Sequence, residues 1–342
     1  LEQHSLVESN IRSFNDFKTP VYIYLVVPLI PIFGLTPFTV RLPSFIFSIL
    51  TFPILYLLLS RLSFSYRSSI ALLTTLLLAI SPWHTLFGRT NFECNVALFF
   101  FSLGIYLFYV GLKKPFFLVI SAIIFAVSIP AYHSERIITP LTIIVLFWRH
   151  KKILFSKTYK YYLLAGIIIG LLITQPTLSV ATSPGFLARA SGLNIFSHQR
   201  QYPAGFLENY QGLFAPLING SWFLSTKEFL SLYVSYLSPR FMFNLGDYGP
   251  RSSYPDLATF FVWQFPFYIL GLYLFLKSKR LGELKFLTLL LLLITPIPAA
   301  LTRDPYTTIR ALPLVIPQLI IISFGIIKFL EKVALRFRTV AY

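Results

Sequence analysis

The chain has 342 residues, 56% of them hydrophobic and only 12% charged, at a mean hydropathy of +0.72. A soluble domain carries roughly a quarter charged residues, so this composition excludes a soluble enzyme, a disordered chain and a disulfide scaffold. The net charge of +17 fits basic loops on the cytoplasmic side of a membrane better than nucleic acid, and the single Cys94 excludes an intrachain bridge and a cysteine metal site.

The sequence starts at Leu1, and its first twenty residues lack the apolar core of a signal peptide. That predicts an internal segment of a longer protein. The run 20–34 covers about 22 Å as a helix and is punctuated by Pro20, Pro28 and Pro31. It is read as an interfacial helix, with 1–35 as an outer loop segment. Long apolar runs with few charges read as transmembrane helices. Nine follow: 41–60, 69–82, 95–112, 116–130, 137–148, 161–175, 257–276, 286–301 and 311–330. Six fall within 36–175. Three fall within 257–342, which ends in a basic cytoplasmic tail. Between them, 176–256 is an outer-face segment with short helices.

The junctions sort by charge. One alternate set (Arg61 and Arg67, Lys113 and Lys114, 149–160, 277–285, 328–338) holds seventeen Lys/Arg against two acids, Glu283 and Glu331. The other holds the remaining twelve Lys/Arg against ten acids. By the positive-inside rule the first set is cytoplasmic. Residue type differs too: eleven of the seventeen inner basic residues are Lys, whereas ten of the twelve outer ones are Arg. Arginine's planar fork suits phosphate or carboxylate, and it serves equally in ion pairs that lock a loop.

Three outer junctions are dense in polar side chains: Ser81 to Glu93, Tyr132-His133-Ser134-Glu135-Arg136, and Thr302 to Arg310. Ionisable groups at membrane depth are costly and tend to line a cavity or pathway. A fourth element is Asp16-Phe17-Lys18-Thr19-Pro20 with Tyr22 and Tyr24, which sets a lysine at headgroup height with aromatic anchors. It would bind a lipid phosphate or hold the helix by snorkelling. The 81 residues from Pro176 to Asp256 carry 15 aromatics. Within them Phe229, Leu232, Tyr233, Tyr236 and Leu237 recur at helical spacing, predicting a short amphipathic helix on the membrane or over a cavity, its rings packed or stacked on sugar. Asn219-Gly220-Ser221 fits an N-glycosylation acceptor. No glycine-rich nucleotide loop, Walker sequence or zinc-protease pair is present, so an activated substrate would arrive in the membrane. His84, Glu93, His133 and Glu135 form the one set that would gather around a divalent cation.

The run Lys18-Thr19-Pro20-Val21-Tyr22-Ile23-Tyr24, then Ile32-Phe33-Gly34-Leu35 and Val40-Arg41-Leu42-Pro43-Ser44 resembles the start of GT-C fold membrane glycosyltransferases. These are relatives of the dolichyl-phosphate-mannose protein mannosyltransferases and of the bacterial aminoarabinose transferase. Ser81-Pro82-Trp83-His84, Arg89 with Glu93, Tyr132-His133-Ser134 with Arg136, and Arg303-Asp304 with Arg310-Ala311-Leu312-Pro313 resemble the bacterial branch. The matches run in order over residues 14 to 325.

The resemblance implies an all-α polytopic bundle of GT-C type in the bacterial plasma membrane, its site facing outward. It implies a polyprenyl-phosphate sugar donor and transfer with inversion to an acceptor hydroxyl on a protein, lipid or polysaccharide. Lys18 matches the family lysine that approaches the lipid phosphate. Glu93 falls where relatives place an acid in the second outer loop, a candidate catalytic base. Arg89, His133, Arg136, Asp304 and Arg310 are donor phosphate or sugar contacts. Relatives also carry an acid just after a first helix that this sequence does not contain, which would leave this segment inactive alone. A flippase of polyprenyl-linked glycans would instead require ionisable residues in mid-span. A non-catalytic paralogue would bind the donor without turnover.

Overall fold

The computed structural model describes residues 11–13, 16–62, 67–181, 195, 221–249, 251–302 and 306–340. Apart from one hairpin and an isolated bridge, the regular elements of the described chain are helices. The hairpin pairs β1 (Ile11–Ser13) with β2 (Asp16–Lys18), antiparallel, Lys18 opposite Ile11.

The expected interfacial helix forms in two pieces. α1 (Pro20–Val26) and α2 (Ile30–Phe33) are joined by a single 3-10 turn at Pro28, where the ring removes a backbone donor. α1 does more than rest on a surface. Tyr22 is buried, donates its hydroxyl to the Val40 carbonyl at 2.8 Å, and packs with Val26 on Val96. Only Tyr24 is exposed, so the paired aromatic anchor expected here reduces to one ring.

The bundle follows: α3 (Pro37–Arg61), α4 (Arg67–Ile80), α5 (Pro82–Gly88), α6 (Glu93–Gly111), α7 (Phe116–Ala131), α8 (Glu135–Leu154) and α9 (Tyr159–Ala181). Then come α10 (Ser221–Ser235), α11 (Phe265–Lys277), α12 (Gly282–Ile294), α13 (Ile297–Ala300) and α14 (Val315–Val340). Each expected apolar run holds a helix. Among the described residues five helical stretches are long and apolar enough to cross a membrane, α12 with α13 counting as one. α4 and α5 together make a sixth candidate, bent by 59°. The bend sits at Ser81-Pro82, where proline starts a new helix more readily than it continues an old one. Two expectations shift. The run 257–276 becomes helical only from Val262, after an isolated bridge between Tyr254 and Leu257. The run 286–301 is split at Thr295-Pro296.

Large apolar side chains are exposed along α3 (Ile46, Ile49, Leu57) and α9 (Leu164, Ile168, Leu172). Such faces would aggregate in water, but they suit hydrocarbon. The chain is an integral membrane protein. Inside the bundle, threonines on α3, α9 and α12 return their hydroxyls to the carbonyl four residues back (Thr51, Thr174, Thr288, Thr295), which satisfies polar groups where water is absent. Thr74 donates to Ser323 at 3.0 Å and ties α4 to α14.

The two ends of the bundle differ as the charges foretell. At the lysine-rich end Glu283 accepts from Arg149 at 2.6 Å and Tyr109 at 3.3 Å, joining α12, α8 and α6. Tyr159 donates to the Leu112 carbonyl at 2.9 Å. At the arginine-rich end lie the α4–α5 elbow, the α7–α8 junction and the loop before α14.

α11 and α14 cross at Gly271 and Gly325. A Cβ on Gly271 would strike the Ile321 carbonyl, and one on Gly325 the Phe267 carbonyl. Small residues are what allow such close backbone approach. Gly325→Ala is expected to destabilise the fold by about 1–3 kcal/mol, the range for overpacking, because the obstacle is backbone rather than a movable side chain. Thermal unfolding in nanodiscs checks this; an unchanged midpoint would mean that the helices separate freely.

Candidate functional site

The elbow is pinned from three sides. Ser44 on α3 donates to the Phe87 carbonyl at 2.7 Å. Trp83, buried, donates its indole N–H to the Thr308 carbonyl at 3.1 Å. His84, also buried, lies 3.5 Å from Ser48 Oγ and against Phe52. With α5 fixed, Arg89 at its C-cap points outward. Its guanidinium is 3.4 Å from the Tyr254 hydroxyl and 5.7 Å from the centre of that ring. Glu93 opens α6 four residues on, where the positive end of the helix dipole favours a carboxylate.

The α7–α8 junction brings a second set to the same end. Tyr132 is extended (φ −154°, ψ 147°), and Ser134 precedes the first turn of α8. His133 lies against the Tyr132 ring, centroids 6.1 Å apart. Glu135 faces inward, 1% exposed, and accepts from Thr139 Oγ at 2.6 Å, which in turn shares a 2.9 Å bond with Ser128. Its neighbour Arg136 turns the other way, into a cavity.

That cavity lies between α7, α8 and α9 and measures about 620 Å³. It runs from Arg136, Ile129 and Thr177 at the arginine-rich end to Leu118, Leu154 and Leu163 near the other. Gly166 and Gly170 on α9 make room opposite Ala122. Among the described residues of its lining, Arg136 alone is ionisable. An apolar slot with a single well-placed cation is a common form of ligand pocket.

The third set completes the group. Arg310, half-buried, donates to Thr302 Oγ1 at 2.8 Å. Tyr132 senses several of these groups at once. Burial pushes its hydroxyl well up, Cys94 adds to this, Arg310 pulls it down, and Glu93 and Tyr236 push it up. Glu93, Tyr132, Arg310 and Tyr236 therefore share one electrostatic neighbourhood, assembled from α6, the α7–α8 junction, the α14 loop and the end of α10.

Glu93 and Arg310 thus both act on the Tyr132 hydroxyl, and His133 and Arg136 follow Tyr132 within the next turn. Arg89 is tied to Tyr254 instead. Lys18 closes β2, while Asp304 and the Asn219-Gly220 pair lie outside the described residues. The cation-binding set His84, Glu93, His133 and Glu135 does not gather: among the described residues no three His, Cys, Asp or Glu come together. His84 is enclosed at the elbow and Glu135 turns into the α7–α8 packing. Sequence reasoning passed over Asp247, which accepts from the Thr308 backbone and hydroxyl, each at 2.7 Å. The signal available was Asp247 two residues before Gly249, a turn pattern.

Residues 17–179 match the dolichyl-phosphate-mannose-protein mannosyltransferase family. Among solved structures the chain resembles ArnT from Cupriavidus metallidurans bound to undecaprenyl phosphate, with a TM-score of 0.50 and 15% identity over 93% of this chain and 52% of that one. It also aligns with ArnT from Cupriavidus metallidurans in the apo state, TM-score 0.41 and 14% identity, over 90% of this chain and 66% of that one. No curated protein matches the chain. It spans about half the length of the undecaprenyl-phosphate-bound structure it matches. The chain is an integral membrane helix bundle that shares the fold of ArnT, and its residues 17–179 match the dolichyl-phosphate-mannose-protein mannosyltransferase family.

Proposed function

We propose that this chain belongs to a membrane glycosyltransferase that moves a sugar from a polyprenyl-phosphate donor to an acceptor hydroxyl, with inversion, on the outer face of the membrane. The observation that carries this reading is the apolar cavity between α7, α8 and α9 with Arg136 in its wall, one helical turn on from Tyr132, on whose hydroxyl Glu93 and Arg310 both act. A prenyl chain requires an apolar slot, and its phosphate requires cations at the slot's polar end. The lysine-rich junctions at the opposite end support an outward-facing site. ArnT, whose fold the chain shares, was solved with undecaprenyl phosphate bound, which supports a lipid of that class here.

In this reading the tail lies between α7, α8 and α9, and the phosphate sits between Arg136 and Arg310. His133 and Lys18 complete the donor contacts. The acceptor oxygen attacks the anomeric carbon as the bond to the lipid phosphate breaks, and Glu93 takes the acceptor's proton. Arg310 stabilises the charge that grows on the departing phosphate, where a preorganised donor acts most strongly. Tyr132 donates to a phosphate or sugar oxygen. The central turns of the five spans carry no charged side chain, which favours an enzyme worked from one face over a transporter.

The test uses the full-length protein in nanodiscs with radiolabelled polyprenyl-phosphate sugars and a membrane extract. Label is expected to move onto an acceptor. Arg136→Gln is expected to weaken binding of polyprenyl phosphate tenfold or more, since a charge-assisted hydrogen bond contributes about 1.5–3 kcal/mol. Binding of the uncharged polyprenol should change little. Equal loss for both lipids would mean that Arg136 supports the cavity wall rather than reading the phosphate.

A further inference from the structure

We propose that Asp247 is a positioning residue that holds the Tyr306–Arg310 loop, and through it Arg310, against the donor site. The proposal rests on the reading of Arg310 as the group that faces the phosphate. Asp247 follows the π turn Phe241–Leu245 and Gly246 at φ +67°. Its Oδ1 accepts from the Gly249 N–H at 2.7 Å, which fixes the carboxylate on its own turn. Its Oδ2 accepts from both the N–H and the hydroxyl of Thr308, each at 2.7 Å. Charge-assisted bonds of this kind are shorter and stronger than neutral ones.

Every anchored residue of the loop leads toward Arg310. Tyr306 is buried at φ +49°, a backbone region that non-glycine residues keep only where surrounding structure enforces it. Its ring is stacked between Tyr236 and Phe241, at 5.3 and 5.0 Å, and its hydroxyl shares a 3.0 Å bond with Thr259. The Thr307 N–H donates to the Tyr236 hydroxyl at 2.7 Å. Thr308 is held by Asp247 on one side and Trp83 on the other. The Arg310 N–H then closes the turn on the Thr307 carbonyl at 3.2 Å. Asp247 and Arg310 also act on the same phenol, Tyr236, from opposite signs. The loop has the supports of a part whose position matters, and Asp247 is the charged one among them.

The test is a double-mutant cycle on the full-length protein in nanodiscs, read as single-turnover transfer and as the Kd of undecaprenyl phosphate. Asp247→Asn keeps one acceptor oxygen and cannot serve both Gly249 and Thr308. It is expected to slow transfer about 10–100-fold, the scale of an ångström of misplacement. Thr308→Val should behave like it, and Thr308→Ser should retain transfer. In an Arg310→Ala background Asp247→Asn should have little further effect, because residues acting as one unit are not additive. A purely structural Asp247 would give the same added loss in both backgrounds, with a lowered unfolding midpoint, and that outcome overturns the proposal. Wild-type transfer by Asp247→Asn also overturns it while leaving the transferase reading intact. If the wild-type protein neither binds nor transfers any donor, the donor-site reading falls and takes this proposal with it.

Discussion

Arg310→Ala is expected to lower the rate of sugar transfer about 10²–10³-fold, the loss seen when one preorganised donor to a developing anion is removed. The leaving group is already a phosphate diester in the donor and becomes more negative as the glycosidic bond stretches, so a fixed cation stabilises the transition state more than the bound ground state. Arg310 is suited to this. It is half-buried, its guanidinium is oriented by Thr302, and its field reaches Tyr132 and Tyr236. Arg310→Lys keeps the charge and loses the planar fork, so it should fall between wild type and alanine. The loss should appear mainly in the transfer step, with a smaller change in donor Kd. Transfer by Arg310→Ala at the wild-type rate would assign charge stabilisation to another cation, with Arg136 the first to examine.

Helix existence was legible in the sequence because it rests on long apolar runs, and each run became a helix. The alternation of charge at the junctions foretold which junctions share an end, and the Glu283 cluster and the Trp83–Thr308 bond now join those junctions physically. What was not legible depends on angles and on contacts distant in sequence. The 59° elbow at Ser81-Pro82 follows from a proline that composition alone reads as the end of a continuous span. Tyr22 has the pattern of a headgroup anchor, because periodicity cannot show that Val40 offers a carbonyl eighteen residues away. The cavity is a gap between three helices and has no signature in any one of them beyond Gly166 and Gly170. Glu135 and Arg136, adjacent in sequence, have opposite surroundings, one enclosed by Thr139 and the other lining the slot. A helix turns about 100° per residue, and the sequence did not reveal which of the two faced the gap.

That divergence decides the second prediction, which concerns the base. Two carboxylates begin helices at the arginine-rich end, Glu93 on α6 and Glu135 on α8. Glu135 is enclosed and engaged by a hydroxyl, so an acceptor has no route to it. Glu93 is partly exposed at the start of its helix and lies in the neighbourhood of Tyr132 and Arg310. Its place at the helix N-terminus sets it against the positive end of the dipole. Glu93→Gln removes the basic oxygen at nearly constant shape and is expected to slow transfer about 10²–10⁴-fold, the usual contribution of a positioned base. Donor binding should stay within a few-fold of wild type, because the carboxylate acts on the acceptor. Glu135→Gln should leave transfer within a few-fold, and any effect should appear in the unfolding midpoint. Single-turnover transfer and lipid binding on both variants separate the roles. Loss of transfer in Glu135→Gln with Glu93→Gln unaffected would reverse the assignment, and it would require the Glu135–Thr139–Ser128 chain to open toward the acceptor during turnover.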